Sequence, residues 1–170
     1  MYICIGNNAK EPNKTNKMNL NEAKELTISL MRQHGLVEKG WGFEFDNAKR
    51  RFGVCRHGRK IIGLSKEMVL LNDLPIVKNT ILHEIAHALV DSKHGHDSVW
   101  RAKALEIGCD GERCYSTETT NIVKGKYIAC CPNCKKEHRR FRKPKYNASC
   151  GKCSSTYNEK YKLNWEKTEK

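Results

Sequence analysis

The most informative pentapeptide in this chain is His83-Glu84-Ile85-Ala86-His87. In a helix, residues four positions apart lie on the same face, so both imidazoles can reach one metal ion. Glu84 would then lie beside the ion, where a carboxylate can accept a proton from a metal-bound water. If the segment is helical, the pentapeptide therefore predicts a zinc hydrolase. The alternative is a chance match in which the histidines only fill a core or a surface.

The residues around the pentapeptide favour a buried helix over 76–90. Apolar side chains recur there at helical spacing, namely Ile81, Ile85, Ala88 and Leu89. Asp73-Leu74-Pro75 indicates a break before this helix. The same reasoning predicts other helices at 19–34, 65–71 and 97–107. Residues 110–122 have the composition of a linker.

Three short stretches upstream have the alternation of polar and apolar residues that is typical of strands. They are residues 41–46, 51–56 and 60–65. Turn signals at Asn47 and Gly58 separate them, which predicts a small antiparallel meander. The predicted fold class is therefore α+β: a small antiparallel sheet packed with helices that carry a zincin-like HExxH site, followed by a C-terminal zinc ribbon.

A catalytic zinc site needs a third protein ligand in addition to two histidines. The nearest candidates downstream are His94 and His96, since a chain that turns after the helix can fold back over the same face. His34 and His57 lie upstream in loop-like settings, and His138 lies in a basic C-terminal region. The residues alone leave the choice between His94 and His96 open.

Four cysteines near the C-terminus have the spacing C-x2-C-x15-C-x2-C. They are Cys131, Cys134, Cys150 and Cys153. Each pair can form a tight turn around a metal, and four thiolates complete a tetrahedral structural zinc site. Cys130 is adjacent, but only Cys131 has the two-residue gap to Cys134. The spacing predicts a zinc ribbon, with Tyr127 and Tyr146 in its small core; four free thiols at this spacing by accident are the alternative.

Positive charge is concentrated in the same region. Residues 123–170 contain 14 Lys/Arg against 4 Asp/Glu, so they contribute +10 of the net charge of +13. Such a field favours a polyanionic partner, and a solvated basic tail is the alternative. Nucleic-acid contacts are expected from the cations between the cysteine pairs: Lys135, Lys136, Arg139, Arg140, Arg142, Lys143 and Lys145. Three segments follow from this organisation: an irregular segment over 1–18, a core over 19–122, and a basic zinc ribbon and tail over 123–170.

Composition excludes some classes of protein. No apolar run approaches the roughly 20 residues that a membrane-spanning helix needs, so no membrane partner is expected. The first residues lack the basic and apolar regions of a signal peptide, which predicts a cytoplasmic protein. In a reducing compartment, nine cysteines are better explained as thiols and metal ligands than as disulfides.

Several separate stretches together resemble one known family. They are Phe52-Gly53-Val54-Cys55, Ile61-Ile62-Gly63-Leu64-Ser65, Thr80-Ile81-Leu82-His83-Glu84-Ile85-Ala86-His87-Ala88, and Gly95-His96 followed by Trp100. Their order and spacing are similar to those of the SprT-like zinc metalloproteases, from about Asn19 to Cys153. Asp97 follows His96 where the family often has glycine, whereas Trp100 keeps the family's aromatic position.

The resemblance implies a function and a set of site residues. By it, His83, His87 and His96 bind a catalytic zinc and Glu84 is the catalytic base, with His94 as the minor alternative for the third ligand. A second, structural zinc would lie in the ribbon. The family also implies single-stranded or structured DNA as a partner, and DNA-bound proteins such as covalent crosslinks as substrates. The rival class is a non-catalytic, zinc-containing protein that binds nucleic acid or regulates transcription.

Overall fold

The computed structural model describes residues 17–115 and 120–168. The irregular segment expected at 1–18 lies, apart from its last two residues, outside the described residues. The chain divides into two compact units, Met1–Ile122 and Val123–Lys170. Among the described residues, no helix combines the length and the apolar character that crossing a membrane requires.

The first unit contains a three-stranded sheet. Its strands are β1 (Gly42–Asp46), β2 (Gly53–Arg56) and β3 (Ile61–Ser65), in the order β1-β3-β2. Strand β1 runs parallel to β3 and β2 runs antiparallel to it, so the predicted antiparallel meander is wrong. Strand β3 takes the centre because it is the most buried strand, with Ile62 and Leu64 almost inaccessible. The edge strands carry polar side chains, and Arg56 of β2 forms ion pairs with Glu44 and Asp46 of β1.

Four helices pack with this sheet: α1 (Leu20–Gln33), α2 (Lys66–Leu71), α3 (Leu74–Leu89) and α4 (Ser98–Glu106). Asn19, Ser65 and Asp97 cap α1, α2 and α4 by accepting backbone N–H groups of the first turn. Helix α3 begins two residues earlier than predicted. Pro75, expected in a break, lies in the first turn, where its missing N–H costs no hydrogen bond. Gly108 ends the α4 region with a φ of +88°.

Helix α3 lies at the centre of the apolar core. Its residues Val77, Ile81 and Ile85 are fully buried. They pack with residues from β3, α1 and α4, which include Ile62, Leu64, Met31, Trp100 and Ala104. Because the apolar side of α3 faces this core, its histidine side lies towards a cavity.

The second unit is a small ribbon. Strand β4 (Tyr127–Cys130) pairs antiparallel with both β5 (Glu137–Arg140) and β6 (Glu166–Lys167). Its core consists of Ala129, Cys131, Cys150 and Leu163, with Tyr161 and Trp165 packed against them. Tyr146 is 86% exposed, so its predicted place in the core is wrong. Tyr127 is half-buried and lies outside the core cluster. The aromatic side chains that pack against this core are Tyr161 and Trp165.

Candidate active site and metal centres

Three histidines converge on one point in the first unit. Helix α3 places His83 and His87 one turn apart, and the loop before α4 supplies His96. The Nε2 atom of His96 lies 3.0 Å from Nε2 of His83 and 3.1 Å from Nε2 of His87. His94 instead directs its Nδ1 atom to the Asp97 carboxylate, at 2.8 Å. The structure therefore brings His96, and not His94, to the histidine pair.

The three imidazoles fit a divalent transition metal. Burial lowers the pKa of His83 and of His87 to about 4, and burial and the charge of Arg113 lower that of His96. All three rings are therefore neutral near pH 7. Three facing Nε2 atoms cannot satisfy one another, because each contact can share only one proton. A zinc ion bound by nitrogen at about 2.0–2.1 Å would separate neighbouring ligand atoms by about 3.3 Å, close to the spacing found.

The Trp100 ring packs against all three histidine rings. Its ring centroid lies 4.7 Å from that of His83, 5.1 Å from His87 and 4.6 Å from His96. The indole is almost fully buried. Asp97 fixes the start of α4 by accepting the N–H groups of Val99 and Trp100. Asp97 therefore has a local structural role: the helix cap that it forms positions the Trp100 ring, which contacts the three histidines.

Glu84 lies beside the cluster and is only 7% exposed. Burial raises the pKa of its carboxyl to about 8, although the charge of Arg51 and a hydrogen bond from the Cys55 N–H act in the opposite direction. Strand β2 passes directly over the side chain: a methyl group at Gly53 would lie 2.6 Å from Glu84 Cγ and 2.7 Å from Oε1. The carboxyl is thus held in one place, with a pKa suited to proton exchange near neutral pH.

A cavity of about 480 Å³ is lined by the three histidines and by Glu84. Strand β2 forms one wall, and residues 110–115 form another. Phe52 and Tyr115 meet edge to face across these walls, with ring centroids 5.2 Å apart. The sequence pattern predicts a linker over residues 110–122, so sequence reasoning misses this wall. Glycines at 108 and 111 indicate a turn, but no local pattern shows that the turn lies against α3.

The four predicted ribbon cysteines form a second cluster. The Sγ atoms of Cys131 and Cys153 lie 3.8 Å apart, and those of Cys134 and Cys150 lie 3.7 Å apart. A tetrahedral zinc with Zn–S bonds of about 2.3 Å would place neighbouring sulfurs about 3.8 Å apart. The Cys130 Sγ atom lies outside the cluster, 3.3 Å from the Lys135 carbonyl oxygen. The spacing and donor set fit a closed structural zinc site.

The Cys131 thiol has an environment that favours its ligand form. Burial alone would raise its pKa, but hydrogen bonds from the N–H groups of Cys134 and Asn133, together with those from the thiols of Cys134 and Cys150, lower the pKa to about 7. A substantial fraction of the group is therefore thiolate at neutral pH, and a thiolate is the form that binds metal.

The seven cations predicted to contact nucleic acid are all exposed. Arg139 pairs with Glu137, and Arg140 lies over the Trp165 ring at 5.5 Å. Within residues 120–168, Lys136, Lys143 and Lys145 have no carboxylate partner. The ribbon therefore presents positive charge that is not neutralised locally.

The SprT-like family model matches residues 23–121, which is more than half of the chain. The chain therefore belongs to the SprT-like family, a family of zinc-metalloprotease type. The matched region contains the histidine cluster, Glu84 and the wall at 110–115, and it ends before the ribbon. Neither a curated protein nor a solved structure matches the chain significantly.

Replacing Gly53 by alanine should destabilise the first unit, because the new methyl group would collide with the buried Glu84 side chain. We expect the free energy of unfolding, measured with urea, to fall by about 1–3 kcal/mol. Gly42→Ala is the matched control, since Gly42 also lies in a strand but has open space around it. Equal stability of the two variants would contradict the contact between β2 and Glu84.

Replacing Cys131 by serine should remove the metal from the ribbon and unfold that unit, because a structural zinc supplies much of the folding energy of so small a core. Bound zinc is measured by elemental analysis, and cobalt substitution reports thiolate ligation by absorption. Cys130→Ser is the matched control and should keep the metal. If Cys130→Ser lost the metal and Cys131→Ser kept it, Cys130 and not Cys131 would be the ligand.

Proposed function

We propose that this protein is a zinc-dependent endopeptidase that acts on DNA-associated proteins, such as covalent DNA–protein crosslinks, in DNA repair. The observation that carries the proposal is the buried Glu84 carboxyl beside three converging histidine Nε2 atoms, within an open cavity of a SprT-like chain. The arrangement supports the proposal because zinc-dependent hydrolysis requires three protein ligands and an adjacent acid–base group.

The proposed chemistry assigns a task to each residue. His83, His87 and His96 would hold the catalytic zinc, which when bound acidifies a water and polarises the scissile carbonyl. Glu84 takes the proton from the attacking water and returns it to the amine of the departing peptide. The Cys55 N–H keeps the carboxyl oriented for both transfers. The second zinc would bind the four ribbon cysteines and have a structural role.

The ribbon is proposed to bind DNA, single-stranded or structured. Its net charge of +10 and its exposed, unneutralised lysines support contacts to phosphates. Attachment to DNA would raise the local concentration of DNA-bound proteins at the cavity, so selectivity would not require a deep side-chain pocket. The proposed location is the cytoplasm, where thiols stay reduced.

Replacing Glu84 by glutamine should abolish turnover but keep the metal. We expect cleavage of a DNA-bound protein, followed by gel electrophoresis, to fall by about 10²–10⁴-fold, since the variant loses its acid–base group. Zinc content should stay at the wild-type value. Glu25→Gln is the matched control, because Glu25 is exposed on α1. Cleavage by Glu84→Gln at the wild-type rate would remove Glu84 from its assigned role, and absence of cleavage by the wild type would favour the non-catalytic rival.

Replacing Lys136, Lys143 and Lys145 together by glutamate should weaken DNA binding and remove any DNA stimulation of cleavage. The wild-type affinity for single- and double-stranded DNA should fall steeply as salt rises, and the variant should show a shallower slope. The matched control carries Lys24, Lys66 and Lys78→Glu, which makes the same change in net charge on the first unit. Equal weakening by both variants would show that binding depends on overall charge and not on the ribbon.

A further inference from the structure

Two polar side chains hold the turn after α4 against helix α3, which carries His83 and His87. The Asn79 Nδ2 group donates a hydrogen bond to Asp110 Oδ2 at 2.8 Å, and the Asp110 backbone N–H donates to Asn79 Oδ1 at 3.0 Å. The Cys109 thiol also approaches the Asn79 carbonyl oxygen, at 3.8 Å. Asn79 lies on α3 about one helical turn before His83, so this pair reaches the side of the helix that carries the histidines.

This turn places a backbone carbonyl near His83. Asp110 Oδ1 accepts the N–H of Glu112 at 2.9 Å, and Gly111 between them has a φ of +69°, which glycine adopts without strain. Glu112 and His83 line the same cavity, and the Glu112 backbone carbonyl lies close enough to the His83 ring to act against the lowering of its pKa by burial. Since His83 Nε2 faces His96, the ring nitrogen that is available to the Glu112 carbonyl is Nδ1. A proton on Nδ1, directed at this carbonyl, leaves the Nε2 lone pair directed into the cluster.

We propose that Asn79 and Asp110 are positioning residues for the catalytic metal site: their reciprocal pair holds the Glu112 carbonyl on His83 and so orients His83 as a ligand. The inference rests on the proposed zinc site, but it does not depend on the proposed cleavage. Partners of this kind, outside the ligands themselves, commonly change metal affinity by about 10–100-fold. Neither residue contacts the Nε2 atoms, so each acts through His83.

The test measures zinc affinity in the full-length protein by competition with a chelator. Cobalt substitution separates the two sites, because only the ribbon gives thiolate-to-metal absorption. Asn79→Ala should weaken binding at the histidine site by about 10–100-fold and leave the ribbon unchanged. Asn79→Asp and Asp110→Asn should each weaken it as well, since the first places two carboxylates together and the second places two amide NH₂ groups together.

The swap variant, Asn79→Asp with Asp110→Asn, is the decisive control. It preserves every hydrogen bond of the pair, because the new carboxylate at 79 accepts from the new amide at 110 and from its backbone N–H. We expect it to recover affinity to within about threefold of the wild type and to restore the cobalt spectrum of the histidine site. Arg101→Gln, which removes only the ion pair of Arg101 with the Glu112 side chain, should bind like the wild type.

Two outcomes would overturn the inference. One is a folded Asn79→Ala variant with wild-type affinity at the histidine site, and the other is a swap variant that binds no better than the single variants. If the wild-type histidine site took up no metal, both the inference and the proposed function would fall. If the wild type bound zinc and the pair behaved as expected without any proteolysis, only the proposed function would fail.

Discussion

The burial of α3 is the interaction on which the rest of the first unit depends. Val77, Ile81 and Ile85 are inaccessible to solvent and fix the rotation of the helix against the sheet and its neighbours. That rotation places His83 and His87, one turn apart, on the side facing the cavity. Because the helix can bury its apolar side in only one orientation, the positions of the two imidazoles follow from the packing.

Glu84 lies where the apolar side of α3 meets its polar side, and this position explains its properties. A carboxyl group loses hydration when it is buried, which raises its pKa, and the charge of Arg51 and the Cys55 N–H partly offset that loss. The absence of a side chain at Gly53 leaves the space that the carboxyl occupies. Helix packing thus creates an acid–base group, while strand β2 limits its movement.

Local features of this structure were predictable, and features that depend on distant pairing were not. The spacing of His83 and His87, the helix on which they lie and the cysteine spacing of the ribbon follow from short-range patterns. The place of β3 between β1 and β2 depends on which strand the core buries most, which alternation within one strand does not show. The wall at 110–115 depends on a contact between Asn79 and Asp110, 31 residues apart. No periodicity links two such positions.

The central claim is that three imidazoles bind one metal ion and leave a coordination position open. Anomalous diffraction at the zinc edge from crystals of the zinc-loaded protein tests it most directly. The account predicts two peaks, one among the four ribbon sulfurs and one bound by Nε2 of His83, His87 and His96, with solvent in the fourth position and Glu84 beside it. A single peak in the ribbon, or a protein side chain in the fourth position of the histidine site, would contradict it.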